Sequence, residues 1–168
     1  MDRRRWLLRA AGLLIGAPAF ARAASPAAGD ASGLAGKWTY RSFHNSPALL
    51  DGDPQKALRL IFAEAVFTFE IDGSSLKGAL DWQGGGLDLQ GTIQPASGTA
   101  PLSVAIAGSG RAKTDTDGWE YDYRANLAYD WPNGVGQVQA LVGTVIRAKP
   151  HDGGPAGYVA SFIAVKQS

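Results

Sequence analysis

The chain has 168 residues, 16 basic and 15 acidic side chains, a formal net charge of +1, 45% hydrophobic residues and no cysteine. The missing thiol excludes disulfides, cysteine nucleophiles, thiolate metal sites, iron–sulfur clusters and c-type haem attachment. The length suits one domain with its own hydrophobic core and leaves no room for a second.

Residues 1–23 begin with a positive front end, Arg3-Arg4-Arg5-Trp6-Leu7-Leu8-Arg9, continue through an apolar run from Ala10 to Phe20, and close on Ala21-Arg22-Ala23. A charged start, a short apolar stretch and an A-x-A-like stop make up an export leader, and the stretch is too short to span a bilayer. Arg3-Arg4 followed by Trp6 and Leu7 resembles the twin-arginine consensus, which implies export of the folded protein by the twin-arginine (Tat) translocase to the periplasm or beyond. An arginine-rich signal for unfolded export is the alternative. The leader carries five of the arginines and Asp2, so cleavage leaves 11 basic and 14 acidic residues, a net charge of about −3. That balance offers no footprint for nucleic acid, and the mature form carries no segment for membrane insertion.

Residues 24–36, rich in Ala, Ser, Gly and Pro, read as a flexible linker, and residues 37–168 as the folded domain. In chain order, strand-like runs cover Lys37–Phe43, Ala57–Phe62, Val66–Ile71, Ser75–Trp82, Leu87–Gln94, Leu102–Ala107, Trp119–Asp130, Val138–Arg147 and Tyr158–Lys166, of which about eight are expected to pair. Residues 45–56 hold a short helix or an irregular loop. The strongest run is Trp119–Asp130, where Trp119, Tyr121, Tyr123, Ala125, Leu127 and Tyr129 alternate with polar residues and so share one face of a strand. Asp72-Gly73, Asn133-Gly134 and Asp152-Gly153 supply turn signals between runs. The fold class is therefore all-β: a single antiparallel up-and-down barrel of about eight strands, which leaves no free edge, with a two-sheet sandwich as its rival.

At the first strand, Leu34-Ala35-Gly36-Lys37-Trp38-Thr39 resembles the opening of avidin-like and lipocalin-like barrels, in which a G-x-W element closes the barrel floor. The resemblance implies a floor role for Trp38, with a basic residue of the last strand covering it, and Lys166 stands in that position. Ordinary core packing of Trp38 is the alternative. Tyr40, Arg41, Ser42 and Phe43 stand where a biotin-binding Asn and Ser would be expected, which speaks against biotin.

An eight-stranded barrel is filled by side chains or holds one small ligand. Small residues at Gly78, Gly91, Ala105, Gly143 and Ala160 would leave space above an aromatic wall of Trp82, Trp119, Tyr121, Tyr123 and Tyr129, with Phe67, Phe69 and Phe162 added. The same stripe equally describes a solid core, and the glycines equally relieve crowding at bends.

No catalytic, metal or cofactor site is expected. His44 and His151 are the only histidines, both in predicted loops, and the hydrolase elbow, zinc-helix and phosphate-loop motifs are missing. Asp115, Asp117, Glu120 and Asp122 fail the calcium-loop register, because Lys113 and Arg124 fall at its first and last positions. Gly84-Gly85-Gly86 lacks the following helix that a phosphate cradle needs. Three readings remain: a binding module for a small hydrophobic or aromatic ligand, an accessory subunit of an exported redox or metalloenzyme partner, and a small barrel isomerase or cyclase.

Overall fold

The computed structural model describes residues 31–45 and 53–168. The expected leader and residues 24–30 of the expected linker lie outside the described residues, as do residues 46–52.

Eight strands close into a barrel in sequence order: β1 (Gly36–His44), β2 (Ile61–Asp72), β3 (Ser75–Trp82), β4 (Gly85–Gln94), β5 (Ser103–Gly110), β6 (Glu120–Leu127), β7 (Ala140–Arg147) and β8 (Val159–Lys166). Each pairs antiparallel with the next, and β8 pairs with β1 from Trp38↔Lys166 to His44↔Ala160, which seals the ring. Period-two alternation drives this closure, because each strand has one apolar face to hide. In β6 it buries Tyr121, Tyr123 and Ala125 and turns Arg124 and Asn126 outward.

The expected run Ala57–Phe62 is not a strand of its own. Pro54 starts a five-residue helix, α1 (Pro54–Leu58), and the Asp53 carboxylate accepts a hydrogen bond from Gln55 N at 2.8 Å. Proline is preorganised for the first helical position and aspartate for the cap, so local chemistry prevails over the apolar pattern. Phe62 then joins Val66–Ile71 in the single 12-residue strand β2, which brings the expected nine runs to eight strands. The expected 119–130 strand is also shorter: Trp119 precedes β6, and Tyr129 follows it in a loop that runs to Ala140. Asn133-Gly134 belongs to that loop, in a turn closed by Gly134 N donating to Trp131 O at 2.8 Å.

The domain starts earlier than residue 37. A 3-10 turn, Ala31–Leu34, packs Leu34 into the core, and its carbonyl accepts a hydrogen bond from Trp38 Nε1 at 2.9 Å. Lys166 Nζ donates to Gly33 O and lies 5.7 Å from the Trp38 ring centroid. Trp38 is fully buried, and Phe69 stands against it at 6.4 Å. These groups form the closed end of the barrel, together with the chain segments before β1 and after β8.

Above this floor, Tyr40, Phe67, Tyr123 and Phe162 fill the cross-section. All six pairs among the four rings lie 4.9–6.3 Å apart, mostly edge to face. Phe67 and Phe69 are therefore core. A Cβ at Gly78, Gly91 or Gly143 would overlap backbone of the adjacent strand, at Thr68, Ala105 and Arg124 respectively. These glycines let strands approach closely and do not hollow the interior.

Trp38→Ala is expected to destabilise the domain by about 3–5 kcal/mol, read as a lowered urea midpoint. A loss below about 1 kcal/mol would contradict the structural weight given to this ring.

Candidate functional site

The end of the barrel opposite Trp38 is open. There the β3–β4 turn meets the β5–β6 loop, and a set of polar contacts locks them together. Arg111 Nη1 bonds Asp81 and Arg111 Nε bonds Asp88, each at 2.8 Å. The two carboxylates hold the guanidinium above its ordinary pKa, Asp88 contributing most and Asp81 next. Thr116, almost fully buried, donates from Oγ1 to Gly86 O at 2.9 Å and accepts from Arg111 N at 3.2 Å. A side chain at Gly86 would collide with Arg111, and one at Gly110 with Thr116, so both glycines are required by these contacts. The knot sets two indoles side by side: Trp82, folded over Gly85, and Trp119 lie 6.3 Å apart and nearly parallel.

The β7–β8 connection supplies the next wall. Asp152 and Gly153 both take positive φ, 48° and 73°, and His151 and Gly154 exchange backbone hydrogen bonds of 3.2 and 2.8 Å. A two-residue turn of this hand suits Asp-Gly. It lays the His151 imidazole flat on Trp119, with centroids 4.1 Å apart and planes 17° from parallel, and edge-on to Tyr121 at 5.3 Å.

Between these groups and the four-ring layer lies a cavity of about 380 Å³, open at the mouth. Its sides carry Phe62, Trp82, Trp119, Tyr121, Arg147 and His151, and Tyr40 and Tyr123 form its bottom. This volume and apolar, aromatic lining match a site for a small organic molecule.

Of the residues expected in an aromatic wall, Trp82, Trp119, Tyr121 and Tyr123 come together around this cavity. Phe67 and Phe69 lie beneath it. Tyr129 is at the other end of the barrel, half exposed and edge-on to Trp131 at 5.8 Å. The alternation that predicted an inward Tyr129 stops at Leu127, where the β6 ladder ends.

Three phenols face the cavity, Tyr40 and Tyr123 at its bottom and Tyr121 on its side. Burial raises the pKa of the Tyr40 and Tyr123 hydroxyls above the ordinary value; a hydrogen bond with Ser42 partly offsets this at Tyr40 and the nearby Tyr121 adds to it, while at Tyr123 both Tyr40 and Tyr121 add to it. Burial also raises Tyr121, and the neighbouring Arg147 guanidinium partly offsets that. His151 shifts the other way: burial first, and then the charge of Arg147, lower its pKa, against a smaller opposing pull from Asp152. At neutral pH the phenols and the His151 imidazole are therefore neutral, and the lining also includes the Arg147 guanidinium and the carboxylates of Glu64 and Asp152.

Arg147, His151, Arg111 and Thr116 were not anticipated as site residues. His151 had a weak signal, because the Asp152-Gly153 turn beside it was legible. The arginines had none, since inward placement of Arg147 follows only from the β7 register. Comparison of the chain with protein-family models, with curated proteins and with solved structures finds no match.

The His151 shift makes stability pH-dependent. In the unfolded chain the imidazole titrates near its ordinary 6.5. As pH falls below that value the unfolded state takes up a proton that the folded cavity resists, so stability drops with pH until the folded imidazole is protonated too. The urea midpoint should fall from about pH 7 to about pH 5.5, and His151→Phe, which keeps a ring over Trp119, should flatten that slope. An unchanged slope in the variant would refute the assignment.

Proposed function

We propose that this protein is an exported binding module that takes a small hydrophobic or aromatic molecule into the open half of its barrel. The observation that carries the reading is the half-hollow interior: a 380 Å³ cavity whose sides include Trp82, Trp119 and Tyr121 and which opens to solvent. A filled barrel would have favoured a purely structural or partner role. Indoles and phenols give large stacking surfaces and polar tips for orientation, as expected of a receptor for a flat apolar molecule. The resemblance of Gly36-Lys37-Trp38 to avidin-like and lipocalin-like openings, with Lys166 over Trp38, supports the same reading, since such barrels hold ligands in their interiors.

Export rests on residues 3–23. Replacing Arg3 and Arg4 together by lysine should leave the protein in the cytoplasm of a twin-arginine-competent host, as read by fractionation and immunoblotting. Periplasmic accumulation of that variant would remove the Tat translocase from the account.

A second reading, a small barrel isomerase or cyclase, is favoured by the ionisable His151 and Arg147 in the cavity wall. A third, an accessory subunit for an exported partner protein, is favoured by exposed Tyr129 and Trp131 at the far end. Native mass spectrometry of periplasmic material separates them by a retained small mass, a chemically altered one or a co-purified protein. For the binding module, Trp82→Ala and Tyr121→Ala should each weaken uptake of an aromatic probe by about tenfold or more while far-UV circular dichroism stays unchanged. Unaltered affinity in both variants would overturn the proposed site.

A further inference from the structure

The cavity wall holds four charged or titratable groups besides its tyrosines: Glu64, Arg147, His151 and Asp152. Glu64 faces outward and forms an ion pair with Arg41 on the barrel exterior. Asp152 is 70% exposed at the rim, and its Oδ2 lies 3.8 Å from His151 Nδ1, too far to accept a hydrogen bond. Arg147 forms no ion pair among the described residues, and its Nε is buried without a hydrogen-bond partner. Its guanidinium rests against Gly154, where a Cβ would overlap Nη1, and 5.9 Å from the Tyr158 ring. The His151 side chain is only 8% exposed, and both of its ring nitrogens lack partners.

Arg147 meets the Tyr121 hydroxyl, yet its Nε and both His151 ring nitrogens remain buried hydrogen-bonding atoms without partners at the rim of an aromatic cavity. Leaving such donors unpaired is costly, and a planar guanidinium matches a carboxylate or other oxyanion better than any neutral acceptor. The sealed bottom sets the size. From Trp119 to Tyr123 is four residues, about 13 Å along a strand, which admits a compact ring system and stops an extended chain.

We infer that the cavity binds a small aromatic acid, its ring system against Trp82, Trp119 and Tyr121 and its anionic group on Arg147 beside His151. The inference rests on the binding-module reading and specifies the ligand class of that site.

Isothermal titration of the mature protein with 2-naphthoate and its neutral isostere 2-naphthamide tests it. The acid should bind about tenfold or more tighter than the amide. Arg147→Met should abolish that preference while the amide still binds. Gly154→Ala keeps the charge but forces the guanidinium from its seat, so the preference should shrink without loss of fold. Should Arg147→Met fail to fold, the wild-type comparison and Gly154→Ala still decide the matter. Equal binding of acid and amide by the wild type, with both weakened by Trp82→Ala, would overturn the acid class and leave the binding module standing. Binding of neither compound would overturn both readings.

Discussion

Four rings at mid-height, Tyr40, Phe67, Tyr123 and Phe162, govern what this barrel can be. Each comes from a different strand, β1, β2, β6 and β8, and each touches the other three. A closed barrel of eight strands has a fixed inner width, and four large side chains at one level occupy it. Below them Trp38, Phe69 and the aliphatic residues pack as an ordinary core. Above them the strands continue, but the inward side chains no longer meet across the axis. Gly108, opposite Tyr121 across the β5–β6 ladder, fits the same scheme: a Cβ there would press on Leu87, Leu89 and Tyr123 at 3.1–3.2 Å.

The mouth is held by polar chemistry where the body is held by apolar burial. Arg111 between Asp81 and Asp88, and Thr116 on Gly86, fix the indoles from outside the cavity. Exposed ion pairs of this kind contribute little to overall stability. Their value here is positional, since they set the spacing of Trp82 and Trp119. Arg147 contrasts with Arg111, being the same residue type with no carboxylate ion pair among the described residues.

Much of the architecture was legible in the sequence because period-two patterning survives folding. β6 is the clearest case: twelve alternating residues forecast Tyr121 and Tyr123 inside, and the expected run overshoots the strand at both ends, by Trp119 before it and by Ala128, Tyr129 and Asp130 after it. The apolar content of Ala57–Phe62 suggests a strand, but the capping chemistry of Pro54 and Asp53 is stronger locally than a six-residue pattern. Gly36-x-Trp38 and Lys166 are readable as a pair, whereas Leu34 gives no sign of its core position, because a lone apolar residue among small ones carries no periodicity. The site was legible in its aromatic half alone. His151 and Arg147 enter it through a tight turn and a strand register, and both depend on contacts between β6, β7 and β8 that no local pattern encodes.

The hydrogen bonds that join Trp38 to Leu34, Lys166 to Gly33 and Gln167 to Lys37 have a spatial corollary. They gather both ends of the barrel's chain at its stoppered base, as far from the entrance as the body allows. Cargo, a fluorophore or a surface tether joined there would hang beneath the vessel and leave its lip clear.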